Sequence, residues 1–137
     1  MSEHTEQCAL IQWAAYASAE FPELRWLHSS LNGARLGPAQ AGKAKAAGMV
    51  AGVADLFLPV AFRNTKRNGE PGYHGLYIEM KIKGGKQSPK QKAFEAFVVG
   101  QGYRYVLAWS WHEAAAAVLN HLGATDEARA RLIGGSV

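Results

Sequence analysis

Leu76-Tyr77-Ile78-Glu79-Met80-Lys81-Ile82-Lys83 decides how this chain folds. Side chains alternate faces along a strand, so Ile78, Met80 and Ile82 share one face while Glu79 and Lys81 share the other. Such a strand can be a solvated edge carrying a weak ion pair. With Asp55 heading the strand before it, the same pattern can be an oxygen-ligand metal site with a lysine beside it.

Working outward, Gly84-Gly85 ends this strand, and Ser88-Pro89 opens a helix with a favoured N-cap and a proline in the first turn. That helix is expected to turn Ala93, Phe94 and Phe97 inward and to stop near Gly100 or Gly102. A strand over 103–109 follows. Ser110-Trp111-His112-Glu113 has capping-box spacing and starts a helix running to about Leu122, stopped by Gly123. A short helix from Thr125 is expected to close the chain.

Upstream of the central strand, 63–75 reads as a polar loop, and 55–60 as a strand whose Pro59 marks an edge or an end. Residues 38–47 are Ala- and Lys-rich and helix-compatible. Asn32-Gly33 is a turn signal, and 24–30 reads as β-like, with Leu24 and Trp26 on one face. The first helix is predicted over 6–19, from Leu10, Trp13, Ala14 and Ala17 at helical spacing, with Pro22 closing it. This order predicts an α/β domain with a central mixed sheet flanked by helices. At 137 residues it is expected to be one domain, with a core over about 3–122 and a C-terminal extension over 123–137.

Apolar residues make up 48% of the chain, too many for a disordered protein. No apolar run approaches the ~20 residues of a spanning helix. The polar, acidic N-terminus lacks the regions of a signal peptide. The single cysteine, Cys8, excludes an internal disulfide framework and is expected to be buried. Trp13, Trp26, Trp109 and Trp111 are expected mostly in the core. These features predict a cytoplasmic protein. Net charge is +4, unevenly placed: Lys81, Lys83, Lys86, Lys90 and Lys92 follow one another with no acid between them until Glu95. Arg35, Lys43 and Lys45 form a second basic group. Clustered positive charge suits a polyanionic partner, because neutralised phosphates release counterions.

Phosphodiester hydrolysis needs the phosphate charge neutralised and a deprotonated water held in line, and a hard divalent cation supplies both. Magnesium takes oxygen ligands and keeps several waters. Asp55 and Glu79 from neighbouring strands would suit it, with a main-chain carbonyl from Ile78 or Met80, of which Met80 is the choice. Lys81 could position the attacking water or stabilise developing charge. Lys86, in the Gly-Gly turn, is best placed among the lysines to reach a nucleic-acid backbone. Lys45, Lys83, Lys90 and Arg35 are further candidate DNA contacts. The five histidines show no metal-ligand spacing.

Gly52-Val53-Ala54-Asp55-Leu56-Phe57, then Gly75-Leu76-Tyr77-Ile78-Glu79-Met80-Lys81, then Ser88-Pro89-Lys90-Gln91, together resemble the VRR-NUC family, virus-type replication-repair nucleases of the PD-(D/E)XK superfamily. The resemblance spans roughly residues 3–122. It implies a restriction-endonuclease-like core and DNA cleavage dependent on magnesium, or manganese in its stead. It assigns metal binding to Asp55 and Glu79, the catalytic lysine to Lys81, and a glutamine near the active site to Gln91. For a first-helix acid it points to Glu6, with Glu3 and Glu20 as substitutes. Ala54 stands where the family usually has proline. The short chain is similar to standalone members, which implies a homodimer acting on branched or junction DNA in the manner of a Holliday junction resolvase, of phage or bacterial origin. A less selective nicking or flap nuclease, and a non-catalytic nucleic-acid-binding module, are the alternatives.

Overall fold

The structure is a computed structural model that describes residues 2–31, 36–62 and 72–134. The Asn32-Gly33 turn, Arg35 and most of the polar loop expected over 63–75 lie outside the described residues.

The first helix, α1 (Glu3–Ala17), begins three residues before its predicted start. Ser2 is the reason: its hydroxyl caps the helix by accepting the Thr5 N–H at 3.0 Å, with Glu3 and Glu6 in the first turn near the positive end of the helix dipole. Leu10, Trp13, Ala14 and Ala17 form its buried stripe, as their spacing predicts.

The β-like reading of 24–30 is corrected. Pro22–Trp26 is a 3-10 turn, and only His28–Ser29 forms a strand, β1. Pro22 fixes φ at the head of this turn, and the Leu24 N–H is bonded to the Phe21 carbonyl at 3.0 Å. Leu24 is therefore buried, while Trp26 is 59% exposed beneath the Arg25 guanidinium. Helix α2 (Pro38–Ala46) follows, then strand β2 (Leu56–Leu58), which ends just before Pro59.

Strand β3 (Leu76–Met80) runs antiparallel to β2, with Leu56 opposite Ile78. Helix α3 (Pro89–Gly100) crosses over to β4 (Arg104–Ala108), which lies parallel to β3 with Tyr77 opposite Tyr105 and Glu79 opposite Leu107. The sheet is mixed, in the order β1-β2-β3-β4. Helices α4 (Trp111–His121) and α5 (Asp126–Ile133) complete the described chain.

The period-2 alternation of β3 sorts the two sides of the sheet. Leu76, Ile78 and Met80 are fully buried with Leu10 and Ala14 of α1 and Ala115, Val118 and Leu119 of α4. Burial of one such side chain contributes about 1.5–3 kcal/mol. Helix α5 adds Leu132 to that core, and the Leu132 carbonyl accepts the Trp13 indole N–H at 2.9 Å. Tyr77 and Glu79 point to the opposite side, where α3 packs on β4.

Three burial expectations are corrected. Helix α3 turns Gln91, Phe94, Glu95 and Val98 toward the sheet, so Phe97, displaced around the helix, is 66% exposed and Ala93 is exposed too. Trp109 lies at the end of β4 and is also exposed. Cys8 is exposed on α1, one turn from His4.

Candidate functional site

The centre of the site is the Glu79 carboxyl on the α3 side of β3. It is 1% exposed. Two structural elements converge on it, and local sequence explains each.

Asp55 arrives from a turn that needs glycine. Gly52 has φ +94°, and a Cβ there would lie 2.6 Å from the Lys90 carbonyl oxygen. Only glycine lets this turn ride against the first turn of α3. Asp55 then sits just before β2, where its Oδ2 accepts the Met80 N–H at 2.8 Å. A residue's N–H and C=O project to the same side of an extended strand, so the Met80 carbonyl also opens toward Asp55. Met80 lies beyond the last β2–β3 pair, Leu56 with Ile78, which makes its carbonyl better placed than that of Ile78.

Gln91 arrives from the capping box that starts α3. Ser88 Oγ accepts the Gln91 N–H at 3.1 Å, and Gln91 Oε1 accepts the Ser88 N–H at 2.8 Å. With Oε1 committed as an acceptor, the side-chain amide must present its N–H to the sheet. Gln91 Nε2 donates to Glu79 Oε2 at 3.1 Å.

Glu79 Oε1 is buried and has no hydrogen-bond partner among the described residues. Burial pushes the Glu79 carboxyl up from 4.5 to about 9, the adjacent Asp55 carboxylate adds to the rise, and the Lys81 ammonium opposes it. Lys81 lies just past β3 and is 7% exposed; its N–H bonds to the Ala108 carbonyl at 2.8 Å, extending the parallel pairing by one residue. Asp55, Glu79, Lys81 and Gln91 are thus brought together.

Glu6 is not part of that group. Its buried carboxylate accepts the Trp111 N–H at 2.8 Å, at the first turn of α4, and ties α1 to α4. Glu20 pairs with Arg131 of α5. Glu3 is the α1 acid nearest the group. A Cβ built on Gly85 would sit 3.6 Å from both Glu3 Oε2 and Lys81 Cδ, and the Glu3 charge adds to the rise at Glu79. The sequence signal for Glu3 is the Ser2–Thr5 cap, which moves the first turn of α1 upstream.

Lys83 and Lys86 flank the Gly84-Gly85 turn and are exposed, as are Lys90 at the start of α3 and Lys45 in the last turn of α2. Arg35 is not among the described residues. No set of three or more His, Cys, Asp or Glu side chains that could hold a metal occurs among the described residues. The donor set here is two carboxylates and the Met80 main-chain oxygen. It fits a hard cation that keeps several waters, and the orphaned buried Oε1 beside a second carboxylate is what such a cation would satisfy.

No protein-family model and no curated protein matches the sequence. The fold is that of a solved VRR_NUC domain protein, with a TM-score of 0.68, 24% identity, and coverage of 90% of this chain and 89% of that one. Among the described residues, no helix is long and apolar enough to cross a membrane.

Proposed function

We propose that this protein is a divalent-cation-dependent nuclease that cuts DNA at the Asp55–Glu79–Lys81 site. The observation that carries the proposal is the Glu79 carboxyl. It is buried beside the Asp55 carboxylate, to which its protonated form can hydrogen-bond, and beside a buried lysine, with one oxygen held by Gln91. Placing an ionised carboxyl in a buried position beside a second, half-buried one is costly unless a proton or a cation offsets it, and a cation would take the proton's place. An isolated Glu-x-Lys on a solvated strand would show none of this. The likeness to a VRR_NUC domain fold supports the same reading.

A bound magnesium or manganese would supply charge neutralisation at the phosphate and an acidified water. Asp55, Glu79 and the Met80 carbonyl would hold it. Gln91 keeps the Glu79 carboxyl in one orientation. Lys81 positions the attacking water and stabilises charge developing on the phosphate. Glu3, in the first turn of α1, acts as the first-helix acid in place of Glu6, whose carboxylate is spent on α4. Lys83, Lys86 and Lys90 contact the DNA backbone. The finer reading is a structure-selective endonuclease working as a homodimer on branched DNA in the cytoplasm, because two symmetric cuts ask for two sites related by a two-fold axis.

Cleavage of labelled four-way junction, flap, duplex and single-stranded DNA, with magnesium or manganese, tests this. Wild type should cut the junction, and Asp55→Asn and Lys81→Ala should each lose at least about a hundredfold, the scale of one general-base or electrostatic group. Cutting of flaps or duplex alone would leave the nuclease and remove the junction preference. No cleavage of any substrate would overturn the proposal.

A further inference from the structure

The α3 side of the sheet carries a second feature beside the carboxylates. An open cavity of about 590 Å³ is lined by His74, Tyr77, Phe94, Phe97, Gln101 and Tyr103, among others, and none of the residues lining it is acidic. Tyr77 is its floor. It sits two residues before Glu79 on the same face of β3, roughly 7 Å along the strand. Phe57 lies 4.4 Å from the Tyr77 ring, Phe94 meets it edge-on at 5.1 Å, and Tyr103 lies 5.5 Å away.

Two glycines shape the floor. A Cβ on Gly75 would fall 2.9 Å from the Phe57 ring, so only glycine lets that ring lie down on the sheet beside Tyr77. Gly102, at φ +92°, holds the exposed His74: its carbonyl accepts the His74 N–H at 2.9 Å, and a Cβ on it would strike the imidazole. From the cavity, one stripe of α3 leads back toward the turn that carries Asp55. Lys90, Phe94 and Phe97 of α3 and Gln101 at its C-cap follow one another at helical spacing. Lys90 stands at the Asp55 turn, and the two aromatic rings and the terminal amide run on along the cavity.

The exposed Phe97 ring beside half-buried Phe94, Tyr77 and Tyr103, a cation toward the site end, and amide, imidazole and phenol edges around them form a surface matched to an unpaired nucleobase. A base offers a π-face to stack and polar edges to bond, and its phosphate would lie toward Lys90. We propose that this aromatic cavity is a stacking platform for an unpaired nucleobase adjoining the cleavage site. It would make the enzyme favour DNA with a single-stranded stretch beside the cut. This rests on the nuclease reading above, yet its test reads binding and not cutting.

The test compares two fluorescein-labelled duplexes by anisotropy at low ionic strength, in chelator. One bears a single-stranded thymidine tail, and the other an abasic tail of equal length and charge. Wild type should bind the base-bearing tail about tenfold tighter, since one stacked base is worth roughly that factor or more. Phe97→Ala should bring the two tails to within about twofold, while Phe97→Trp keeps the difference. Phe97 is exposed, so its loss leaves the core intact. Equal affinities in wild type, no binding of either probe, or a difference that survives Phe97→Ala would overturn the proposal. So would a dimer in sedimentation that Phe97→Ala dissociates, because a second copy would then occupy the face. Base preference without cleavage would remove the nuclease and keep the platform; cleavage without base preference would do the reverse.

Discussion

Glu79 holds its proton in the folded protein over a range where an unfolded chain has released it. Its folded value is raised, from 4.5 to about 9, so between those limits the native state binds the extra proton. Stability of the cation-free protein should therefore fall as pH rises through that window and level off above it. Glu79→Gln keeps the shape and removes the charge. It should flatten this dependence and raise the urea midpoint at the alkaline end while abolishing cleavage. An unchanged pH profile would show that the buried carboxyl is not the titrating group. The α1 acids separate by the same logic of partners. Glu6→Ala strips the acceptor from the Trp111 N–H and should cost about 1–3 kcal/mol in denaturant unfolding. Glu3→Gln, on a half-buried first-turn residue, should cost no more than the few tenths of a kcal/mol of a lost dipole interaction while lowering cleavage. Loss of stability in Glu3→Gln with full activity would reverse the assignment. Glu79 and Lys81 were legible in the sequence as a shared face, because period 2 depends on nothing but the strand. Choosing among the α1 acids was not, because it turns on which of them meets the amide of a residue far along the chain.

Helix α3 joins stability to chemistry through its first turn. The Ser88–Gln91 box caps the helix and, in the same stroke, aims the Gln91 amide at Glu79. Ser88→Ala should cost about 1 kcal/mol as a lost cap. It should also reduce cleavage more than that cost explains, since the Gln91 side chain keeps its bond to the Ser88 N–H but loses the hydroxyl that fixes its own backbone. A variant that is less stable but equally active at saturating cation would show that the cap serves the helix alone. The Ser-Pro start of α3 was readable because N-caps are local chemistry. Its buried face was not. Ala93 and Phe97 look inward by hydrophobicity, yet the sheet receives Gln91, Phe94 and Val98, and the rotation of a helix on a sheet is set by the sheet's own side chains, here Tyr77 and Glu79 of β3. The segment after α1 shows the same limit: Pro22 and the burial of Leu24 fold 22–26 into a 3-10 turn, against the period-2 spacing of Leu24 and Trp26.

Across the whole molecule the sheet separates two tasks. One side, closed by α1 and α4, is apolar and buried, and it was legible from spacing alone. The other side gathers residues remote in sequence, Asp55, Glu79 and Gln91 with the aromatic cavity, and the basic residues stand near that side. Lys81, Lys83, Lys86 and Lys90 fall within the short run from the end of β3 to the start of α3. A chain with net charge of only +4 can bind a polyanion through such local concentration, since exposed charges beyond a Debye length of about 10 Å at 0.1 M salt are screened from one another. Each phosphate contact contributes about 0.9 to the slope of log affinity against log salt on duplex DNA. Lys86 is exposed beside the Gly84-Gly85 turn, where Gly84 takes a positive φ. Lys86→Ala should weaken duplex binding regardless of sequence and reduce the slope by about 1. Lys45→Ala, on α2, gives the comparison that locates the groove. An equal loss of slope would extend the DNA path across α2 to the Asp55 turn, whereas no change at Lys45 and a full unit at Lys86 would confine it to the β3–α3 end of the sheet. A slope unchanged in both variants would remove this basic run from the DNA contact.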